Sequence, residues 1–321
     1  MTAANPEVTV IIDRLLEPAS LAAMTQPVTP VSTGFDPLDS VLDGGFFPEE
    51  LVLVGGRPGV GKTISLVQWA RHQARTGVRV ILAHYEHSEL ALLCHLCLLE
   101  MGELHDASET HEARRAITDV ASGRTTWAAA AAANQMFADS GAAVLGYAGN
   151  IELLTLEGEE DGFEGLARSV DQHRDAAVLM VDHLGKVDRD RSRLGETADR
   201  MKWLGVEKGI TIIASTVVDD PGMETRRLRM SHLEASAGVS HEADVIIMTN
   251  DKLSAVSRNH SAFDSTRIHE FRNQLVFSVE KNRRGISNVD VEFVRDYSHR
   301  RLDPMGGFVT EQLVDDLLVR E

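Results

Sequence analysis

Six short apolar runs punctuate the chain: Leu51–Val54, Val78–Ala83, Val178–Val181, Ile210–Ala214, Val245–Met248 and Leu275–Val279. Most are unbroken aliphatic or β-branched stretches, the pattern expected of parallel strands buried on both faces. Segments with helical spacing, such as Thr63 to Arg75, lie between them, so the chain reads as successive β–α–β units wound into an α/β sheet. The stretch from 88 to 175 reads as mainly helical. Within it, the alanine run Ala128–Ala133 predicts a helix and the acidic stretch Glu157–Glu164 a solvated loop. At the amino end, Val8, Ile11, Ile12, Leu15 and Leu16 fall on one face of a short helix, and Pro18, Pro27 and Pro30 then interrupt the chain. Such a helix needs a surface to cover, on its own domain or on a neighbouring subunit. The division that follows is an arm at 1–30, one α/β domain at 31–304 and a tail at 305–321.

Composition narrows the picture. A chain of 321 residues, 43% hydrophobic, fills a sizeable core. No run is long and apolar enough to cross a membrane, and no basic segment precedes an apolar stretch at the start, so a cytosolic (cytoplasmic) protein is expected. A formal net charge of −17 argues against a surface coated for nucleic acid. It leaves room for a local basic strip, because charges are screened beyond ~8 Å at physiological salt. The two cysteines, Cys94 and Cys97, form one C-x-x-C with no second pair to complete a tetrathiolate site. Their apolar surroundings favour two small buried residues on one helical face.

The run Leu51–Val54 leads into Gly56-Arg57-Pro58-Gly59-Val60-Gly61-Lys62-Thr63, a complete G-x-x-x-x-G-K-T phosphate-binding loop, and a helical stretch follows. Glycines let backbone N–H groups curl round phosphates without a Cβ in the way, and the helix N-terminus adds its positive end. In such a loop Lys62 reaches the β- and γ-phosphates and Thr63 ligates Mg²⁺, so ATP and Mg²⁺ are the expected cofactors. A second piece is Val178-Leu179-Met180-Val181-Asp182, an apolar strand ending in an acid. This is the Walker B pattern, with Asp182 at the carboxyl end of the strand, where it holds the Mg²⁺ ion through water. Hydrolysis also needs a carboxylate to orient or deprotonate water. Glu86, just past Ile81-Leu82-Ala83, is the candidate, with Glu89 as its nearest competitor. His84 and His87 flank Glu86 without metal-ligand spacing. Near the carboxyl end, Val279-Glu280-Lys281-Asn282-Arg283-Arg284-Gly285 ends a strand in a compact basic turn. It reads either as a solvated turn or as an arginine finger acting on a neighbour's phosphates.

Taken in order, these pieces resemble the motor domain of the DnaB family of replicative hexameric helicases. Ser32-Thr33-Gly34-Phe35-Asp36-Pro37-Leu38-Asp39 is similar to the family's "P-T-G-F-x-x-L-D" lead-in, and Gly44-Gly45 and Arg57-Pro58 match as well. Tyr85-Glu86 stands where the family has "S-L-E-M", whose Glu is the catalytic base. Val181-Asp182-His183-Leu184 resembles "I-D-Y-L", Ala243-Asp244-Val245 resembles "D-A-D-V", and Lys281-Asn282-Arg283 resembles "K-Q-R". The resemblance spans about residues 31 to 300 and implies a RecA-like P-loop NTPase fold: a mostly parallel central sheet flanked by helices. It also implies a homo-oligomeric ring, usually a hexamer, in which Lys281 and Arg283 reach the ATP of the adjacent subunit. Single-stranded DNA is the implied substrate, and a primase or loader a possible partner.

Three departures stand out. The family's N-terminal helical domain has no counterpart ahead of the motor. The family's "S-Q" sensor reads Ser215-Thr216, and Thr216 is too short to link the γ-phosphate to the DNA loops as Gln does. The DNA-contacting "D-L-R-E-S-G" reads His232-Leu233-Glu234-Ala235-Ser236-Ala237, with a carboxylate where an Arg is expected. Substitutes for DNA contact are Arg226, Arg227 and Arg229, or Lys186, Arg189, Arg191 and Arg193. A DNA helicase motor is the first expectation. A RecA- or KaiC-like ATPase acting on assembly state or a protein partner is the alternative.

Overall fold

The computed structural model describes residues 27–85, 88–155, 162–188, 190–256 and 267–314. The amphipathic segment at 8–16, the candidate base Glu86, His87, Arg189 and most of the acidic stretch fall outside the described residues. Among those described, ten strands form one sheet: β1 (Leu51–Gly56), β2 (Val80–His84), β3 (Ile151–Thr155), β4 (Val178–Asp182), β5 (Thr211–Thr216), β6 (Val245–Asp251), β7 (Gln274–Asn282), β8 (Val289–Asp296), β9 (Arg301–Leu302) and β10 (Gly307–Phe308). Their order is β10-β8-β7-β6-β1-β5-β4-β2-β3, with β9 also on β8. Every pairing from β3 through β6 is parallel, and β6 onward is antiparallel.

The unbroken apolar runs have the predicted cause. Val52 and Val54 face one core and Leu51 and Leu53 the other, so β1 needs apolar residues at every position. The first face is covered by the helices Lys62–Arg75 and Glu89–Leu104, the second by Phe163–Gln172, Leu194–Lys208 and Ser236–Glu242. Trp69 anchors the first face, fully buried with ring centroids 5.4 Å from Phe46 and 6.0 Å from both Phe35 and Phe277. Phe35 is delivered there by the lead-in segment, whose Asp39 carboxylate accepts from the Ser32 and Thr33 hydroxyls, both at 2.6 Å. Gly34 has φ +74°, and a Cβ on it would stand 2.4 Å from Nδ1 of His72.

Several sequence expectations are corrected. The 88–175 stretch is mainly helical, as expected, and also contributes β3. β3 escaped notice because it is a short edge strand, half-buried and paired only with β2. Leu275–Val279 is a strand of the antiparallel part, joined to β8 by the short hairpin-type connection 283–288. Glu164 lies in the first turn of the Phe163–Gln172 helix, where its charge suits the helix dipole, and not in a loop. The tail assigned to 305–321 contributes β10, and Glu311 inserts beside the buried Lys252 at 2.9 Å. Leu313 bridges to Val256, so the segment read as a tail packs on the rest of the fold through residue 314. Cys94 and Cys97 are both buried on the Glu89–Leu104 helix, as expected. Burial pushes the Cys97 thiol up to about 12, with Cys94 and Glu100 adding to the rise, which removes it from thiolate chemistry near neutrality.

Candidate active site

The carboxyl ends of the parallel strands gather the residues expected to bind phosphate. β1 ends at Gly56, the loop turns through Arg57 to Gly61, and the helix starts at Lys62. Gly59 and Gly61 have φ of +74° and +122°, values open to glycine, and Pro58 and Gly59 are exposed at the crest. At Gly56 a Cβ would lie 1.9 Å from the Thr249 hydroxyl of β6, so the loop's first position is closed to any side chain. Lys62 is 9% exposed and its ammonium donates to the carbonyls of Gly56 at 2.7 Å and Arg57 at 2.9 Å. The cation therefore lies across the mouth of the loop, where phosphate charge is expected.

The ends of the two sequence motifs meet directly. The Thr63 hydroxyl donates to Oδ2 of Asp182 at 2.6 Å, and the Ser215 hydroxyl donates to Oδ1 at 2.5 Å. Strand register explains the convergence: β4 ends at Asp182 opposite His84 of β2, and Ser215 of β5 stands opposite Val54 of β1. A hydroxyl and a carboxylate at one point form the hard oxygen set that suits Mg²⁺, so Thr63 and Asp182 fit the expected metal. Thr216, the predicted sensor, pairs in register with Gly55 and is 1% exposed. Its neighbour Ser215 makes the contact to Asp182, a role the sequence reading did not assign. A small polar residue closing an otherwise aliphatic strand was the available signal.

The predicted finger sits on the other side of the sheet. Because β7 runs antiparallel to β6, Phe277 is opposite Thr249 at the phosphate edge and Asn282 is opposite Val245 at the far edge. At about 3.3 Å per residue the separation is on the order of 15 Å. Lys281 and Arg283 thus stand far from the Lys62 of their own chain. Lys281 donates to the carbonyls of Ser240 at 2.8 Å and His241 at 3.2 Å. Arg283 donates to Oδ1 of Asp244 at 3.0 Å and to the His241 carbonyl at 2.7 Å. Burial lowers the Lys281 pKa, with Arg283 adding to the drop. Asp244, noted in the sequence as part of a D-A-D-V-like segment but given no role, is a hub: it also accepts from the Leu51 N–H at 2.8 Å and from Lys202 at 2.7 Å.

Four of the basic residues nominated for DNA are engaged within the fold. Arg227 pairs with Asp290 at 2.8 Å, Arg229 with Glu280 at 2.9 Å, and Arg226 donates to the Val256 carbonyl at 2.7 Å. Arg193 of the second group pairs with Glu196 at 2.8 Å and Asp188 at 3.4 Å. No helix among the described residues is long and apolar enough to cross a membrane.

Comparison with known proteins agrees with this geometry. A family model described as "DnaB-like helicase C terminal domain" matches residues 30–301. The replicative DNA helicase DnaB of Treponema pallidum (strain Nichols) is 25% identical over 275 residues, covering 84% of this chain and 55% of that protein. The DNA repair protein RadA of Mycobacterium tuberculosis (strain CDC 1551 / Oshkosh) is 42% identical over 59 residues, 18% of this chain and 12% of that protein. Among solved structures, a DnaB-like replicative helicase, described together with its interactions with primase, superposes with a TM-score of 0.68 at 16% identity, over 91% of this chain and 69% of that one. That likeness carries the fold, and the chain spans only part of the RadA and DnaB relatives.

Proposed function

The chain belongs to the family of DnaB-like helicase C-terminal domains, and from that premise we propose that it is a ring-forming ATP hydrolase that moves on single-stranded DNA. Thr63 and Asp182 hold Mg²⁺, and Lys62 and the loop from Gly56 to Gly61 hold the phosphates. Bound Mg²⁺·ATP supplies the reactive phosphoryl group. Glu86 orients the attacking water, and Lys281 and Arg283 act on the site of the next subunit. The observation that carries this reading is the contact of Thr63 with Asp182 on one sheet edge while both finger cations lie on the opposite edge. A site divided this way is complete only between two subunits, which favours a closed ring such as a hexamer. Thr216, at the end of β5, stands where nucleotide state would be sensed. A primase or a loader is the expected class of protein partner for such a ring.

A second reading has its own support. Arg227 and Arg229 are committed to Asp290 and Glu280, and Glu234 occupies a position where phosphate contact is expected. These features favour an ATPase that works on assembly state or on a protein, in the manner of RecA- and KaiC-like enzymes. Steady-state ATPase activity with and without single-stranded DNA separates the two, with Lys62→Ala as the blank. The first reading expects marked stimulation by DNA. Turnover that depends on Lys62 but ignores DNA transfers the conclusion to the second.

A further inference from the structure

Residues 217–234 leave the end of β5 and return to it as a closed strap. Its base is fastened by the Val218–Leu233 bridge, by Asp219 N–H to His232 O at 2.9 Å and by Glu234 N–H to Val217 O at 3.2 Å. Its second half is clamped to the antiparallel strands. The buried Asn250 accepts from Leu228 N–H at 2.6 Å and donates to Leu228 O at 3.2 Å, and Arg227 and Arg229 pair with Asp290 and Glu280. Its first half has a different attachment. The guanidinium of Arg57, inside the phosphate-binding loop, donates to the carbonyl of Thr225. The strap therefore meets the phosphate-binding loop at Thr225 through Arg57, and it springs from β5 two residues after Ser215, which holds Asp182.

The two acceptors available to Arg57 differ in strength. The guanidinium is charged with either partner, but a carbonyl is neutral whereas a phosphate oxygen is an anion that adds ion-pair attraction and can take two parallel bonds from the guanidinium fork. Arg57 is also half-buried, and burial lowers its pKa against the opposing pull of Asp251, so desolvation sharpens its preference for an anionic partner. The geometry points to Arg57 as a latch: it ties the strap to the phosphate loop through Thr225 and exchanges that carbonyl for a phosphate oxygen when nucleotide enters. The strap is thereby released by the nucleotide itself. This gives the chain a route from phosphate to the 217–234 segment at Arg57, where Thr216 is too short to provide one. The inference rests on the nucleotide-binding part of the reading above, not on DNA.

Amide hydrogen exchange tests it on the full chain, with and without Mg²⁺·ADP and a non-hydrolysable ATP analogue. Nucleotide should speed exchange of the 219–226 segment several-fold in the wild type, while the Lys62–Arg75 helix slows. In Arg57→Ala the 219–226 segment should exchange fast from the outset and ignore nucleotide. Strap protection in Arg57→Ala equal to that of the wild type overturns the latch, as does a wild-type strap indifferent to bound nucleotide. A second variant approaches from the other side: Arg226→Ala frees the strap from Val256 without touching the phosphate loop. Because coupling is reciprocal, it should tighten nucleotide binding about threefold or more, and unchanged affinity contradicts the latch. A wild type that binds no nucleotide at all would instead sink the parent reading, so the two failures are distinguishable.

Discussion

The two edges of the parallel sheet carry different kinds of polar chemistry. At the carboxyl edge, Thr63, Asp182 and Ser215 are drawn to one point by bonds of 2.5–2.6 Å beside the Lys62 ammonium. At the amino edge, Asp244 gathers Leu51, Lys202 and Arg283, and Glu50 holds Arg284 at 2.9 Å. The first edge presents oxygen donors and N–H groups suited to phosphate and metal. The second presents cations anchored on carboxylates and helix-end carbonyls, with Arg283 still 46% exposed. The difference teaches that the cations proposed as the finger face away from the chain's own nucleotide site. Polar groups that fasten the fold dominate the amino edge, and groups suited to phosphoryl chemistry the carboxyl edge.

The largest expected effect concerns the exposed finger. Arg283→Ala should keep nucleotide affinity within a small factor and lower turnover by ~10³–10⁵. Parallel binding and turnover assays decide it, and normal turnover would return Arg283 to a solvated basic turn. Next in size, Asp244→Ala removes the acceptor of the buried Leu51 N–H and the counter-ion of Lys202. It should destabilise the fold by about 1–3 kcal/mol in denaturant unfolding. A stability loss below the measurement error would deny the amino edge its structural role.

The smallest effects are pH-dependent and of opposite sign. Burial raises the Glu50 pKa at the amino edge, against the pull of the Phe47 N–H and Arg284. Its folded form holds the proton more tightly than the unfolded chain, so its stability contribution is present below about pH 4.5 and is lost as pH rises through the folded pKa. Glu103 is the converse: burial would raise its pKa, but the bonds and charge of Arg71, with Arg301 and Arg75, bring it below the usual value. Its contribution is present above about pH 4.5 and is lost as pH falls through the folded pKa. Unfolding free energies of Glu50→Gln and Glu103→Gln against wild type should therefore diverge in opposite directions across this range. Parallel pH profiles would remove the contrast.

Much of this was legible in the chain. Unbroken runs such as Val178–Val181 announced two-sided burial, and the strand–loop–helix around Gly56–Thr63 and the strand-ending Asp182 were legible in their spacing as structure. The alternation of Val289, Val291 and Phe293 with Asp290 and Glu292 also spelled β8, a period-2 signal that a search for parallel strands passes over. What could not be read was long-range. Asp244 stands in a D-A-D-V-like segment, but nothing in that segment names its partners Leu51 and Lys202, which folding brings to it across 193 and 42 residues of sequence. Arg57 likewise meets Thr225 across 168 residues. Basic residues such as Arg227 looked available because Asp290 is 63 residues away in sequence.

The divided site is tested most directly by mixing two disabled chains. Lys62→Ala lacks a working phosphate loop but keeps Arg283, and Arg283→Ala has the converse defect. Each alone should be nearly inactive. Co-assembled, with mixed assembly verified by affinity-tag capture of one variant, they create interfaces that join an intact loop to an intact finger. A site shared between subunits predicts ATPase turnover well above either variant alone, rising to a maximum at intermediate ratios. Turnover that stays at the level of the single variants across all ratios would contradict a site shared between neighbouring subunits.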